Sequence, residues 1–171
     1  MDRDDIDCLP ISPTWLNKAE SLRASFETAQ PFPLLVLDDF LVPELAAGLL
    51  SEFPAIDAMP KSRDYVFASK HELSSVEEAG PAGLRFHEAM ISPAFANFLR
   101  AATGLDVFVD PLFFGGGFHQ GGHGSYLDMH VDFNMLVYLN RDWRDEYGGQ
   151  LLVRMRPTAR CVRSNRRTTG Q

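Results

Sequence analysis

The sequence has 171 residues, 45% of them hydrophobic and 23% charged, with a formal net charge of −7. That size and composition suit one ordinary globular domain, and no apolar run reaches the roughly 18 residues that a membrane span needs. The N-terminus MDRDDIDCLP lacks the basic start and apolar core of a secretory signal, and the two cysteines, Cys8 and Cys161, lie near opposite ends with no metal-type spacing and make no disulfide framework; the expected compartment is therefore the reducing cytoplasm.

Residues 1–12 read as a disordered leader. Trp15, Leu16, Ala19, Leu22 and Phe26 recur at helical spacing and predict a helix over about 14–28, with Ser12 or Thr14 as cap and Pro31 and Pro33 beyond its end. LLVLDDF (34–40) reads as a buried strand. A helix over 43–53 follows, with Pro43 at an early position and Leu45, Leu49, Leu50 and Phe53 on one side. Residues 54–80 are polar, with KSRDYVFASK as one short strand candidate. A helix over 93–102 has Ser92 as its cap, Pro93 at its first position and Gly104 at its end.

The remaining elements are strand candidates at 107–114, 125–132, 135–140 and 150–154. Helices first and strands second imply an α+β architecture. Between the first two strands lies GGGFHQGGHG, whose glycines disfavour a helix. His119 and His123 are therefore placed in loop and strand near the mouth of any site, rather than on one helical face. The segment is no phosphate loop either, because it lacks the Gly-Lys-Ser/Thr ending. His71 and His87 stand outside any motif and read as surface or satisfied polar residues.

Charge is divided unevenly along the chain. All 23 acidic residues precede position 154, whereas the last eighteen residues carry six arginines and no acid. A basic tail can bind nucleic acid. This one has no aromatic residue on which a base would stack, and nucleic acid is not the expected partner.

The stretch with the most chemical content is 115–153. It contains His130-Val131-Asp132, and on a strand residues two apart face the same side. One imidazole nitrogen and one carboxylate oxygen can then converge on one metal ion, as two of the three ligands of a 2-His-1-carboxylate Fe(II) site. The bare tripeptide is equally compatible with a surface His–Asp pair. Tyr126 shares the alternation phase of His130 and Asp132, which favours the same interior pocket and makes it a candidate for cofactor binding there. After the pair come MLVYLN, Asp142-Trp143, an acidic turn and Gly148-Gly149 leading into LLV.

With these surroundings the stretch resembles the Fe(II)/2-oxoglutarate-dependent oxygenases of the prolyl 4-hydroxylase-like superfamily, as does the opening PFPLLVLDDFLVPELAAGLLSEFP. The resemblance implies a double-stranded β-helix (jelly roll) with N-terminal helices outside it and iron inside one open end. It implies His130 and Asp132 as ligands of Fe(2+), 2-oxoglutarate as co-substrate and L-ascorbate as a supporting reductant. Tyr138 falls where similar enzymes use a tyrosine hydroxyl on the far carboxylate of 2-oxoglutarate; filling the barrel is the competing role. The implied substrate is a protein side chain or a small molecule, with no membrane partner.

Three departures from the family pattern stand out. No histidine follows His130, no basic residue occupies the place of the co-substrate's anchor, and only five residues separate Asp132 from Tyr138. The expected organisation is a leader and first helix over 1–30, an oxygenase domain over 31–153 incomplete at its C-terminal end, and a disordered basic tail over 154–171. Two protein ligands hold iron less firmly than three, so the chain is expected to be inactive or weakly active. A catalytically silent binding protein derived from the fold is the alternative. A zinc hydrolase on His119, His123 and His130 would further require a general base beside the metal.

Overall fold

The computed structural model of the chain describes residues 8–60, 68–112, 116–127, 134–140, 142–148, 151–153 and 162–164. The architecture is α+β: helices dominate the first hundred residues, and the described strands form three separate two-stranded antiparallel sheets.

The first helix predicted from the sequence is split in two. α1 (Pro13–Leu16) ends in a turn at Asn17 and Lys18, and α2 (Ala19–Thr28) starts afresh. The stretch before them is no leader from residue 8 onward. Leu9 and Ile11 are buried, Ile11 bridges Leu41, Ser12 N–H donates to the Phe40 carbonyl at 2.8 Å and Val42 N–H to Pro10 at 3.1 Å. Two apolar side chains in an acidic stretch carry no periodic signal. Their burial depends on a partner some thirty residues away.

That partner also corrects the strand expected at 34–40. The segment turns at Asp38–Asp39, where Asp39 adopts φ +50°, and only Leu41 just beyond it makes a bridge. The apolar run is nevertheless used, because Leu35, Leu37 and Phe40 pack on the core beside α2.

α3 (Pro43–Glu52) forms as expected, with Leu45 and Leu49 buried. α4 (Pro81–Met90) was not foreseen; it begins at Pro81 and buries Gly83 and Met90. α5 (Pro93–Thr103) follows the expected rules closely. Ser92 Oγ accepts from Phe95 N–H at 3.1 Å, and Gly104 closes the helix at φ +75°, the left-handed conformation that glycine adopts without penalty.

The first core gathers Leu9, Ile11, Ala19, Leu22, Met90, Phe95, Phe98 and Ala102. Phe95 and Phe98 are stacked with centroids 5.9 Å apart, and Phe40 meets Phe95 edge-on at 6.4 Å. Truncating a fully buried phenylalanine costs about 3–5 kcal/mol, so Phe95→Ala is the single change most damaging to the α2–α5 contact. A second core joins Leu41, Leu45, Leu49, Met59, Val76 and Phe118. It ties the helices to the strands, with Phe53 and Phe118 edge-to-face at 4.8 Å.

The strands are short: β1 (Ala68–Ser69), β2 (His71–Leu73), β3 (Phe118–Gln120), β4 (Tyr126–Leu127), β5 (Leu151–Val153) and β6 (Val162–Ser164). β1 pairs β4, β2 pairs β3 and β5 pairs β6. β5 fulfils the strand expected at 150–154. β6 corrects the reading of the basic tail, since 162–164 is a paired strand. The strand expected at 107–114 is absent over its described residues, as is that at 135–140. Both segments have strand composition, but a ladder needs a partner backbone that composition does not supply. Among the described residues no helix is long and apolar enough to cross a membrane.

Candidate metal centre

The region ahead of His130 is one antiparallel pair interrupted by an excursion. In β2/β3 His71 lies opposite Gln120, and in β1/β4 Ser69 lies opposite Tyr126. Lys70 alone separates β1 from β2, whereas Gly121-Gly122-His123-Gly124-Ser125 separates β3 from β4. The glycine-rich segment therefore loops out of the ladder as an oversized bulge. Ser125 closes it, with its N–H donating to the Gly122 carbonyl at 3.0 Å and its Oγ accepting from Gly122 N–H at 2.9 Å. His123 sits in the exposed turn of this excursion. As the glycines implied, His119 and His123 share no helix.

Gly117 has a separate reason to be glycine. Its φ is +136°, and a Cβ there would run into the Leu73 carbonyl oxygen. The close approach lets β3 start against β2 and delivers Phe118 to the second core.

The sequence reading missed a polar cluster on this pair. Lys70 and Glu72 are two apart, and His119 lies opposite Glu72. Lys70 Nζ stands 2.7 Å from His119 Nδ1 and 2.9 Å from Glu72 Oε2, while His119 Nδ1 is 3.8 Å from the same carboxylate. An ammonium has only donors, so Nδ1 must accept and the ring is neutral with its proton on Nε2. The ion pair is thus Lys70–Glu72, not His119–Glu72. Burial lowers the His119 pKa, the Lys70 charge lowers it further, and Glu72 partly offsets both. The i, i+2 spacing of Lys70 and Glu72 was visible in the sequence. The register that brings His119 opposite was not.

His71 behaves as a satisfied polar residue, with Nδ1 3.2 Å from the Met59 carbonyl; His87 Nδ1 is buried 3.4 Å from Glu77 Oε2, outside hydrogen-bond geometry.

His130 and Asp132 lie outside the described residues, as does most of the strand expected at 125–132. Of that strand, β4 provides Tyr126 and Leu127. Tyr126 is 49% exposed, so the alternation phase that placed it inside does not enclose it. Tyr138 is half-buried between Val137 and Leu139, which pack on the second core near Phe118. The chain thus returns to the core holding β3 soon after passing His130 and Asp132. Further on, Trp143 Nε1 donates to the Gly148 carbonyl at 3.1 Å and ties off the acidic turn before β5.

Among the described residues no three His, Cys, Asp or Glu side chains form a group able to hold a metal ion. Glu72 and His119 are two potential donors, but the Lys70 ammonium occupies the space between them. An imidazole and a carboxylate two residues apart, the pair His130 and Asp132 expected from the sequence as Fe(II) ligands, are not among the described residues. Comparison with protein-family models, curated proteins and solved structures finds no match.

Proposed function

We propose that the chain derives from an Fe(II)- and 2-oxoglutarate-dependent dioxygenase of jelly-roll fold, a hydroxylase of a protein side chain or small molecule. The observation that carries the reading is the ordered series His130-x-Asp132, Tyr138-Leu139-Asn140, Asp142-Trp143 and Gly148-Gly149, whose second member packs on the core that also holds β3. His130 and Asp132 would hold the iron, and Tyr138 would donate its hydroxyl to the far carboxylate of 2-oxoglutarate. Bound iron and 2-oxoglutarate supply O2-driven hydroxylation with release of succinate and CO2, and ascorbate keeps the metal reduced.

These 171 residues contribute two ligands, because no histidine follows His130. Weak Fe(II) binding and negligible turnover follow, since a facial site needs three protein donors on one face to leave the other three positions ordered. The two donors within these 171 residues also suit a second reading, a catalytically silent binding protein on the same scaffold.

Anaerobic Fe(II) titration calorimetry, paired with succinate release from 2-oxoglutarate in ascorbate, separates the two. The dioxygenase-derived reading expects one weak Fe(II) site that is lost in both His130→Ala and Asp132→Ala. Fe(II) binding indifferent to both substitutions leaves the silent scaffold. Enzyme-like succinate release abolished by His130→Ala would reveal a third ligand and overturn the weak-activity claim.

A further inference from the structure

Residues 106–110, Asp-Val-Phe-Val-Asp, leave α5 and run without a bend or turn. Their burial alternates: Val107 and Val109 are half-buried, while Asp106, Phe108 and Asp110 are exposed. Val109 packs on the first core and fixes the segment to the body of the molecule. Phe108 is 72% exposed, more than any other described phenylalanine. No backbone group of 106–110 enters a backbone–backbone hydrogen bond among the described residues. A segment with strand alternation, a core-anchored face and an unpaired backbone is a template for an added strand.

We propose that residues 106–110 dock an extended segment of another protein in which an apolar residue is flanked, two positions to either side, by lysine or arginine. The outward face presents Phe108 between two carboxylates at that same spacing, and opposite charges directly across a strand pair stabilise it. Arg100 engages only Oδ1 of Asp106, from Nε at 3.1 Å and from Nη2, and leaves the side chain 86% exposed. Asp110 Oδ1 accepts from Leu112 N–H at 3.0 Å and holds the far end of the segment in place. The same charges argue against a second copy as occupant. Antiparallel pairing centred on Phe108 would set Asp106 against Asp110, and parallel pairing in register would set each aspartate against itself.

The test uses the full chain and two acetylated, amidated heptapeptides, Thr-Lys-Thr-Ile-Thr-Lys-Thr and its counterpart with glutamate in place of lysine. Binding is measured by calorimetry at low salt and located by amide hydrogen exchange. The lysine peptide is expected to bind about tenfold more tightly, to slow exchange at residues 107–110 and to weaken as salt is raised. The paired exposed substitutions Asp106→Lys and Asp110→Lys should reverse the preference. Equal affinity for the two peptides, or binding of neither, would overturn the proposal. So would protection of the same amides in the peptide-free monomer, which would mean that the chain's own residues cover the edge. A concentration-dependent dimer protected there would make the occupant a second copy, which also overturns it.

Discussion

Glu52, the last residue of α3, does for α4 what no side chain adjacent in sequence does. Its Oε1 accepts from Ala82 N–H and its Oε2 from Gly83 N–H, both at 2.9 Å, so one carboxylate satisfies two amides that have no intrahelical partner at the start of that helix, where Pro81 has no N–H to offer. Removing it in Glu52→Ala leaves two partly buried donors to water alone. A hydrogen bond to a charged group is worth about 1.5–3 kcal/mol when partly buried, and a negative charge at a helix N-terminus about 0.3–1 kcal/mol. Solvent reaching the freed amides recovers part of this, so the expected loss is about 2–3 kcal/mol. At about 2–4 °C per kcal/mol for a chain of this size, Tm should fall by roughly 4–12 °C. Glu52→Gln keeps one acceptor but turns an amide N–H2 toward a backbone N–H, and it should recover less than half of the loss. Urea unfolding followed by circular dichroism reads both variants against the parent. A Glu52→Ala midpoint equivalent to less than about 0.5 kcal/mol would refute the capping account, since that is the range of surface substitutions away from any specific contact.

Two further outcomes follow from local geometry. Ser92→Ala should cost about 1 kcal/mol through loss of the Oγ acceptor for Phe95 N–H, and Ser92→Gly only a few tenths, as the same unfolding measurement will show. His119 has a lowered pKa, so the folded state binds fewer protons than the unfolded one. Its stability contribution is present above the unfolded value of about 6.5 and is lost as the pH falls through the folded pKa. Urea midpoints at pH 8 and pH 5 should therefore drop more for the parent than for His119→Gln, and an equal drop would contradict the Lys70–His119 geometry.

Legibility in the sequence tracked how local each determinant is. α3 and α5 were readable because cap, proline and apolar stripe all lie within a dozen residues, and Ser92, Pro93 and Gly104 sit where those rules put them. α4 was missed because its cap, Glu52, lies thirty residues upstream and no Ser, Thr, Asp or Asn marks its start. The burial of Leu9 and Ile11 depends on residues 40–42, and the apolar run at 34–40 packs without pairing; neither outcome leaves a periodic trace. At the candidate site, the glycines at 121–124 correctly excluded a helix for His119 and His123. That those residues form a bulge opposite Lys70 follows from the offset between the two ladders, which only the register displays.

The proposed metal pair, His130 and Asp132, is tested most directly by iron K-edge X-ray absorption on the Fe(II)-loaded chain under anaerobic conditions. One imidazole and at least one carboxylate oxygen at about 2.0–2.2 Å are expected, with other light oxygen donors completing the shell. The imidazole scattering should disappear in His130→Ala and persist in His119→Gln. Imidazole scattering that survives His130→Ala, or two imidazoles in the parent, would contradict the assignment of the centre to His130 and Asp132.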